Sequence, residues 1–135
     1  MLPPMTRPLL FALSAALALF AAAPAAQAAC ACTHYASAQQ FVQFNDVIFK
    51  GKAVGSKTQY GVTTTTFQVL EKLKGAPAKS VAVTHPALTR ECGGIAFKPG
   101  QIAVIVAQGM PEDLATSSCQ IGAYPEAELR LALPH

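Results

Sequence analysis

The clearest pattern in the chain lies in residues 62–73, VTTTTFQVLEKL. It is rich in β-branched residues, and Phe67, Val69 and Leu73 alternate with polar Gln68 and Lys72. A period of two predicts a half-buried strand. The same reasoning gives strands over 47–55 and 80–84, with Val81 and Val83 on one face of the latter and Gly51 marking a bulge or bend in the former. Residues 101–107, QIAVIVA, form an unbroken apolar run of strand length, which predicts burial on both faces. A last strand is expected over 114–121, carrying Cys119. Turns fall at 56–61, 74–77, 98–100 and 109–113, and a loop at 85–94. Two short helices are predicted outside the strands. One spans 36–44, with Phe41 and Phe44 sharing a face. The other spans 125–131, with Pro125 in its first turn. His85, just before Pro86, is expected to be an exposed strand-end residue, and the terminal His135 is expected to be disordered. The predicted order is short helix, five strands, short helix. Five short strands suit a small closed barrel of the OB type, so the fold class is all-β.

The amino terminus has a different character. One charged residue, Arg7, precedes an apolar stretch from Leu9 to about Ala23 and the small-residue segment Ala25-Ala26-Gln27-Ala28. This order is that of a secretory leader, predicted over 1–28 with cleavage after Ala28, or alternatively after Ala29. Residues 29–135 then form a single domain. No second apolar stretch of spanning length follows, so the processed chain is expected to be free of the membrane and secreted or periplasmic. The formal charge is +3, with the basic residues spread along the strands and turns. A nucleic-acid surface would be denser and interleaved with exposed aromatics, so no nucleic-acid partner is predicted.

Cys30, Cys32, Cys92 and Cys119 all lie beyond the leader. An even number in a small exported domain predicts two disulfides. A Cys30–Cys32 bridge would close a very tight ring. The other two pairings remain open, and each ties the amino terminus to two distant points. The long loops they close contribute on the order of 4 kcal/mol each in the chain-entropy model.

No residue set reads as catalytic. Ser117 and Ser118 have no evident histidine–carboxylate partners, and Glu112 and Asp113 sit together in a turn. Arg90-Glu91 reads as a local ion pair or as part of a binding loop. Gly93 and Gly94 permit a tight turn after Cys92. Cys30, Cys32 and His34 form C-x-C-x-H, a soft-metal ligand set only while the thiols are reduced. A lipid anchor on Cys30 is disfavoured, because Gln27-Ala28-Ala29 lacks a large aliphatic residue at −3. No cofactor is predicted.

Several segments together resemble the amino-terminal domain of tissue inhibitors of metalloproteinases and the wider netrin-like OB-fold group. They are Cys30-Ala31-Cys32, the strand Asp46-Val47-Ile48-Phe49-Lys50-Gly51-Lys52, and the strand end Val69-Leu70-Glu71-Lys72-Leu73-Lys74-Gly75. Two more are the loop Glu91-Cys92-Gly93 and the segment Thr116-Ser117-Ser118-Cys119. The resemblance spans about residues 30–120. It implies the pairings Cys30–Cys92 and Cys32–Cys119. It also implies an inhibitory edge in which Cys30, Ala31, Cys32 and Thr33 pack beside Thr89, Arg90, Glu91, Cys92 and Gly93. In that family the terminal cysteine's amine and carbonyl chelate the zinc of a target protease, so the protein needs no metal of its own. The implied function is inhibition of a zinc metalloendopeptidase rather than catalysis. Two alternatives stand beside it: a non-inhibitory netrin-like module binding another exported protein of the cell envelope, and a periplasmic metal-binding protein using C-x-C-x-H.

Overall fold

The computed structural model describes residues 31–134. The expected leader, Cys30 and His135 lie outside the described residues. The elements are α1 (Ala38–Phe44), β1 (Val47–Gln59), β2 (Val62–Lys74), β3 (Ser80–Pro86), β4 (Ile102–Met110), β5 (Asp113–Ala115) and α2 (Glu126–Ala132). The strands close a barrel in the order β1-β2-β3-β5-β4. Only the β3–β5 contact is parallel, and it is brief: Val83 faces Leu114 and Thr84 faces Ala115.

β1 makes closure possible. It is long enough to pair with β2 from Ile48 to Gln59 while its first half also pairs with β4. Three register irregularities interrupt the β1–β2 ladder, one of them between Lys50 and Gly51, where the sequence predicted a bulge. Each irregularity bends the strand and adds twist, which curls the sheet toward closure.

Alternation then sorts the side chains. Phe49, Ala53, Phe67, Val81, Val83, Ile105, Ala107 and Leu114 fill the barrel interior. Phe67 is fully buried and lies edge-to-face between Phe49 (5.9 Å between ring centres) and Phe97 (5.0 Å). Such pairs add to the burial of the rings themselves. Phe97 comes from the irregular connection between β3 and β4. It plugs the barrel although it belongs to no strand.

A second core lies outside the barrel. Ile48 and Val106 pack there against Ala38, Phe41 and Val42 of α1 and Leu129 and Ala132 of α2. This explains the apolar run of β4. Its centre, Ile105 to Ala107, is buried on both faces, while Ile102 at its start is half exposed. α1 is short and depends on its caps. Ser37 Oγ accepts from the Gln40 N–H at 3.1 Å, and Gln40 Oε1 accepts from the Ala36 N–H. At the other end the Lys74 ammonium donates to the carbonyls of Val42, Gln43 and Asn45. A cation at a helix C-terminus satisfies carbonyls that the helix leaves orphaned.

Four expectations need correction. The final strand is Asp113–Ala115 rather than 114–121, so Cys119 sits in a turn beyond it. Phe44 does not share the buried face of Phe41; it is 60% exposed, and Val42 fills the core instead. The turn predicted over 56–61 shrinks to Tyr60-Gly61, because β1 continues to Gln59. His85 is buried at 2% exposure, not exposed, because it alternates inward with Val81 and Val83.

Candidate functional site

One end of the barrel gathers three segments that are distant in sequence: residues 31–35, the loop 86–95 and the turn 116–121. The first is tied down by the Cys32–Cys119 disulfide, whose Cα atoms lie 5.3 Å apart. Residues 31–34 are otherwise exposed, and the chain re-enters the protein at Tyr35, whose ring meets Phe41 at 5.2 Å.

The turn that carries Cys119 is self-supporting. The Cys119 and Ile121 N–H groups donate to the Ser117 hydroxyl and carbonyl, and the Ser117 hydroxyl donates to Gln120 Oε1. That hydrogen bond gives Ser117 a structural role. The Ser118 N–H donates to the Gly93 carbonyl at 3.1 Å. A continuous path therefore runs from Cys32 through Cys119 and Ser118 to Gly93. It brings Cys32 and Gly93 of the predicted edge to one place, with Ala31, Thr33 and Cys92 as their chain neighbours. Cys92 is disulfide-bonded; Cys30, its expected partner, lies outside the described residues. Thr89, Arg90 and Glu91 are exposed on the same loop.

The loop 86–95 is closed by hydrogen bonds from Ile95 N–H to the Pro86 carbonyl and from Arg90 N–H to the Ala87 carbonyl. Gly94 packs so close that a β-carbon there would lie 2.5 Å from the Ala87 oxygen. Arg90 then fixes the loop to the tip of the β1–β2 hairpin. Its guanidinium donates to the Tyr60 carbonyl at 3.2 Å and the Gly61 carbonyl at 3.4 Å. Gly61 is favoured by its φ of +74°, and a β-carbon there would displace the Arg90 guanidinium, whose Nε lies 2.3 Å from that position.

His85 lies beneath this loop. Its Nε2 is 2.8 Å from the Thr65 hydroxyl, which is itself 2.7 Å from the Ser56 hydroxyl. Nδ1 lies 3.2 Å from the Pro86 carbonyl, which can only accept, so Nδ1 carries the proton. In the neutral ring Nε2 then accepts from Thr65. The imidazole and the Phe97 ring pack edge-to-face with their centres 5.4 Å apart. Sequence reasoning missed His85, Tyr60 and Gly61 as parts of this end. The β2–β3 register, which sets Thr63 opposite His85, was not visible to it.

Two of the concavities at this end border the predicted edge. One, about 370 Å³, lies between the hairpin tip, the end of β3 and the loop, with Arg90 and Cys92 on its wall. The other, about 290 Å³, lies beside the amino-terminal segment 31–35 and is lined by Cys32, His34, Tyr35 and Tyr124 among others. Among the described residues no group of three or more His, Cys, Asp or Glu side chains is placed to hold a metal. In its disulfide Cys32 has no thiolate to offer the C-x-C-x-H reading.

The main charge network lies elsewhere. Arg130 of α2 makes a bidentate pair with Glu71 of β2 and reaches Glu126, which also meets Lys50. The hydrogen bond from Arg130, helped by its charge, holds the Glu71 carboxyl below the ordinary carboxylate range. The same bond pushes the Arg130 guanidinium further up. This network docks α2 on the barrel and does not reach the candidate edge.

No protein-family model and no curated protein matches the chain. Among the described residues no helix is long and apolar enough to cross a membrane.

Proposed function

We propose that the chain is an exported OB-fold binding module that inhibits a zinc metalloendopeptidase through the edge formed by residues 30–33 and 89–93. The OB reading is supported by the closed five-strand order and by the single parallel contact between β3 and β5. One observation carries the functional reading. The Cys32–Cys119 bridge and the Ser118–Gly93 hydrogen bond hold the amino-terminal segment against the loop of Cys92. An edge fixed before binding loses little ordering entropy when it docks.

The chemistry follows from the terminus. A catalytic zinc keeps one coordination position for water. The α-amine and carbonyl of Cys30, exposed by cleavage after Ala29, displace that water and chelate the metal. An α-amine has a reference pKa of about 8, so its neutral form is accessible near neutrality. The Cys30–Cys92 bridge holds the chelate in place. Ala31 enters the neighbouring specificity pocket with only a methyl group, which favours an enzyme whose pocket is small.

A second reading rests on the leader. Cleavage after Ala28 satisfies the small-residue rule at −1 and −3 and leaves Ala29 ahead of Cys30. The extra residue removes the chelating amine, and the same edge then binds another exported protein without touching a metal. The test is inhibition of a panel of zinc endopeptidases by oxidised protein beginning at Cys30 and by the same protein extended by one alanine. The inhibitor reading predicts micromolar or tighter inhibition by the first form, abolished in the second. Equal inhibition by both, or none by either across the panel, contradicts it.

A further inference from the structure

The concavity of about 370 Å³ beside the hairpin tip has an uneven chemistry. Val62, Pro86 and Ala115 supply apolar wall, and among the described residues no aspartate or glutamate lines it. Its other polar side chains are already engaged. The Thr84 hydroxyl donates to the Leu114 carbonyl, and the Thr116 hydroxyl donates to the Val106 carbonyl. Both nitrogens of His85 are occupied, by Thr65 and by the Pro86 carbonyl.

Arg90 is the exception. Its Nε and Nη2 brace the Tyr60 and Gly61 carbonyls, while Nη1 has no hydrogen-bond partner among the described residues. An arginine offers five N–H donors in a fixed fork, so the two bracing contacts leave donors for a ligand. The braced guanidinium is also held in place before any ligand arrives. The volume sits at the small end of ligand pockets.

We propose that this cavity is a binding site for a small aliphatic carboxylate, with the apolar body against Val62, Pro86 and Ala115 and the carboxylate on Arg90. A neutral polar end group finds the hydroxyl and imidazole donors already engaged, and a cation meets Arg90 with no carboxylate to offset it. The site therefore selects an acid over its amide. It shares Arg90 and Cys92 with the proposed edge but makes no use of the chain terminus, so carboxylate binding is read without any protease present.

The test is a ¹H–¹⁵N NMR titration of the oxidised protein with 4-methylpentanoate and, separately, with 4-methylpentanamide. The acid is expected to shift the amides of Gly61, Val62 and Ala115 with a Kd of about a millimolar. The amide is expected to bind about tenfold to a hundredfold more weakly, the range of a lost charge-assisted hydrogen bond. Arg90→Gln, which retains N–H donors for the hairpin carbonyls, is expected to bring the acid down to the affinity of the amide. Ala115→Leu, which fills the cavity and leaves Arg90 in place, is expected to remove binding of both. N-acetyl-glycyl-leucine, with and without a free carboxyl group, distinguishes sources. Tighter binding of the peptide acid than of 4-methylpentanoate assigns the site to chain termini, and the reverse assigns it to free acids; both support carboxylate recognition. Equal affinity of acid and amide for the wild-type protein overturns the proposal, as does absence of shifts at tens of millimolar acid. The acid–amide comparison needs no variant, so a folding defect in either variant does not remove it.

Discussion

Replacing both Cys32 and Cys119 with alanine tests the feature on which the candidate edge depends. The bridge joins residues 87 apart. Closing a loop of that length in the unfolded chain removes entropy worth about 4.5 kcal/mol at 25 °C in the chain-entropy model. Single domains of this size are stable by about 5–15 kcal/mol, so the double variant loses about 30% of its stability or more. The folded state loses little directly, because residues 31–34 are exposed and Tyr35 keeps its contacts with Phe41 and Phe44. The effect therefore acts mainly through the unfolded chain. Urea unfolding, followed by circular dichroism in a background where Cys30 and Cys92 are also replaced by alanine, so that no second bridge shortens the loop, measures it. With a urea slope of about 1.5 kcal/mol per molar, the midpoint is expected to fall by about 3 M. The slope should change too, because the released chain unfolds to a more extended ensemble. A loss below about 1 kcal/mol, or wild-type protein that reacts with four equivalents of thiol reagent before unfolding, would refute the reasoning.

Three further outcomes follow from the packing and charges. Phe67→Ala leaves a cavity between Phe49 and Phe97 and is expected to cost about 3–5 kcal/mol by denaturant titration. Lys74→Met removes the donor shared by the carbonyls at the end of α1 and is expected to cost about 1–3 kcal/mol, with faster amide exchange in α1 than in β2. Glu71 titrates below its unfolded value, so its pairing with Arg130 contributes fully above the unfolded pKa and is lost as pH falls through the folded one. Glu71→Gln is therefore expected to lower stability at neutral pH, to match wild type once the medium is acid enough to protonate Glu71, and to show a smaller difference at high salt, where exposed pairs are screened.

The parts of this architecture written in local pattern could be read from the chain. The inward Phe67 of β2 and the doubly buried centre of β4 both follow from period and composition, while Val69 and Leu73, read on the same face as Phe67, are only partly buried. Features set by distant partners could not. Phe44 has the same spacing as a buried helical residue, but the end of α1 turns it outward. β5 is three residues long because it is defined by two pairings to β3 and three to β4, neither of which leaves a propensity signal. His85 reads as a loop residue beside a proline, yet β2 continues opposite it and draws it inward. Phe97 lies outside any periodic run and still completes the aromatic core. At the candidate edge, the cysteines marked which segments meet. The brace from Arg90 to Tyr60 and Gly61 was hidden, because it depends on the hairpin tip reaching the loop.

The central claim is that processing exposes Cys30 at the end of an edge held by two disulfides. Intact mass of the naturally exported protein, before and after reduction, tests it most directly. The account predicts a chain beginning at Cys30 that gains four hydrogens on reduction, one for each cysteine. A chain that retains Ala29 or the leader, or that gains fewer than four hydrogens, would contradict the chelating edge.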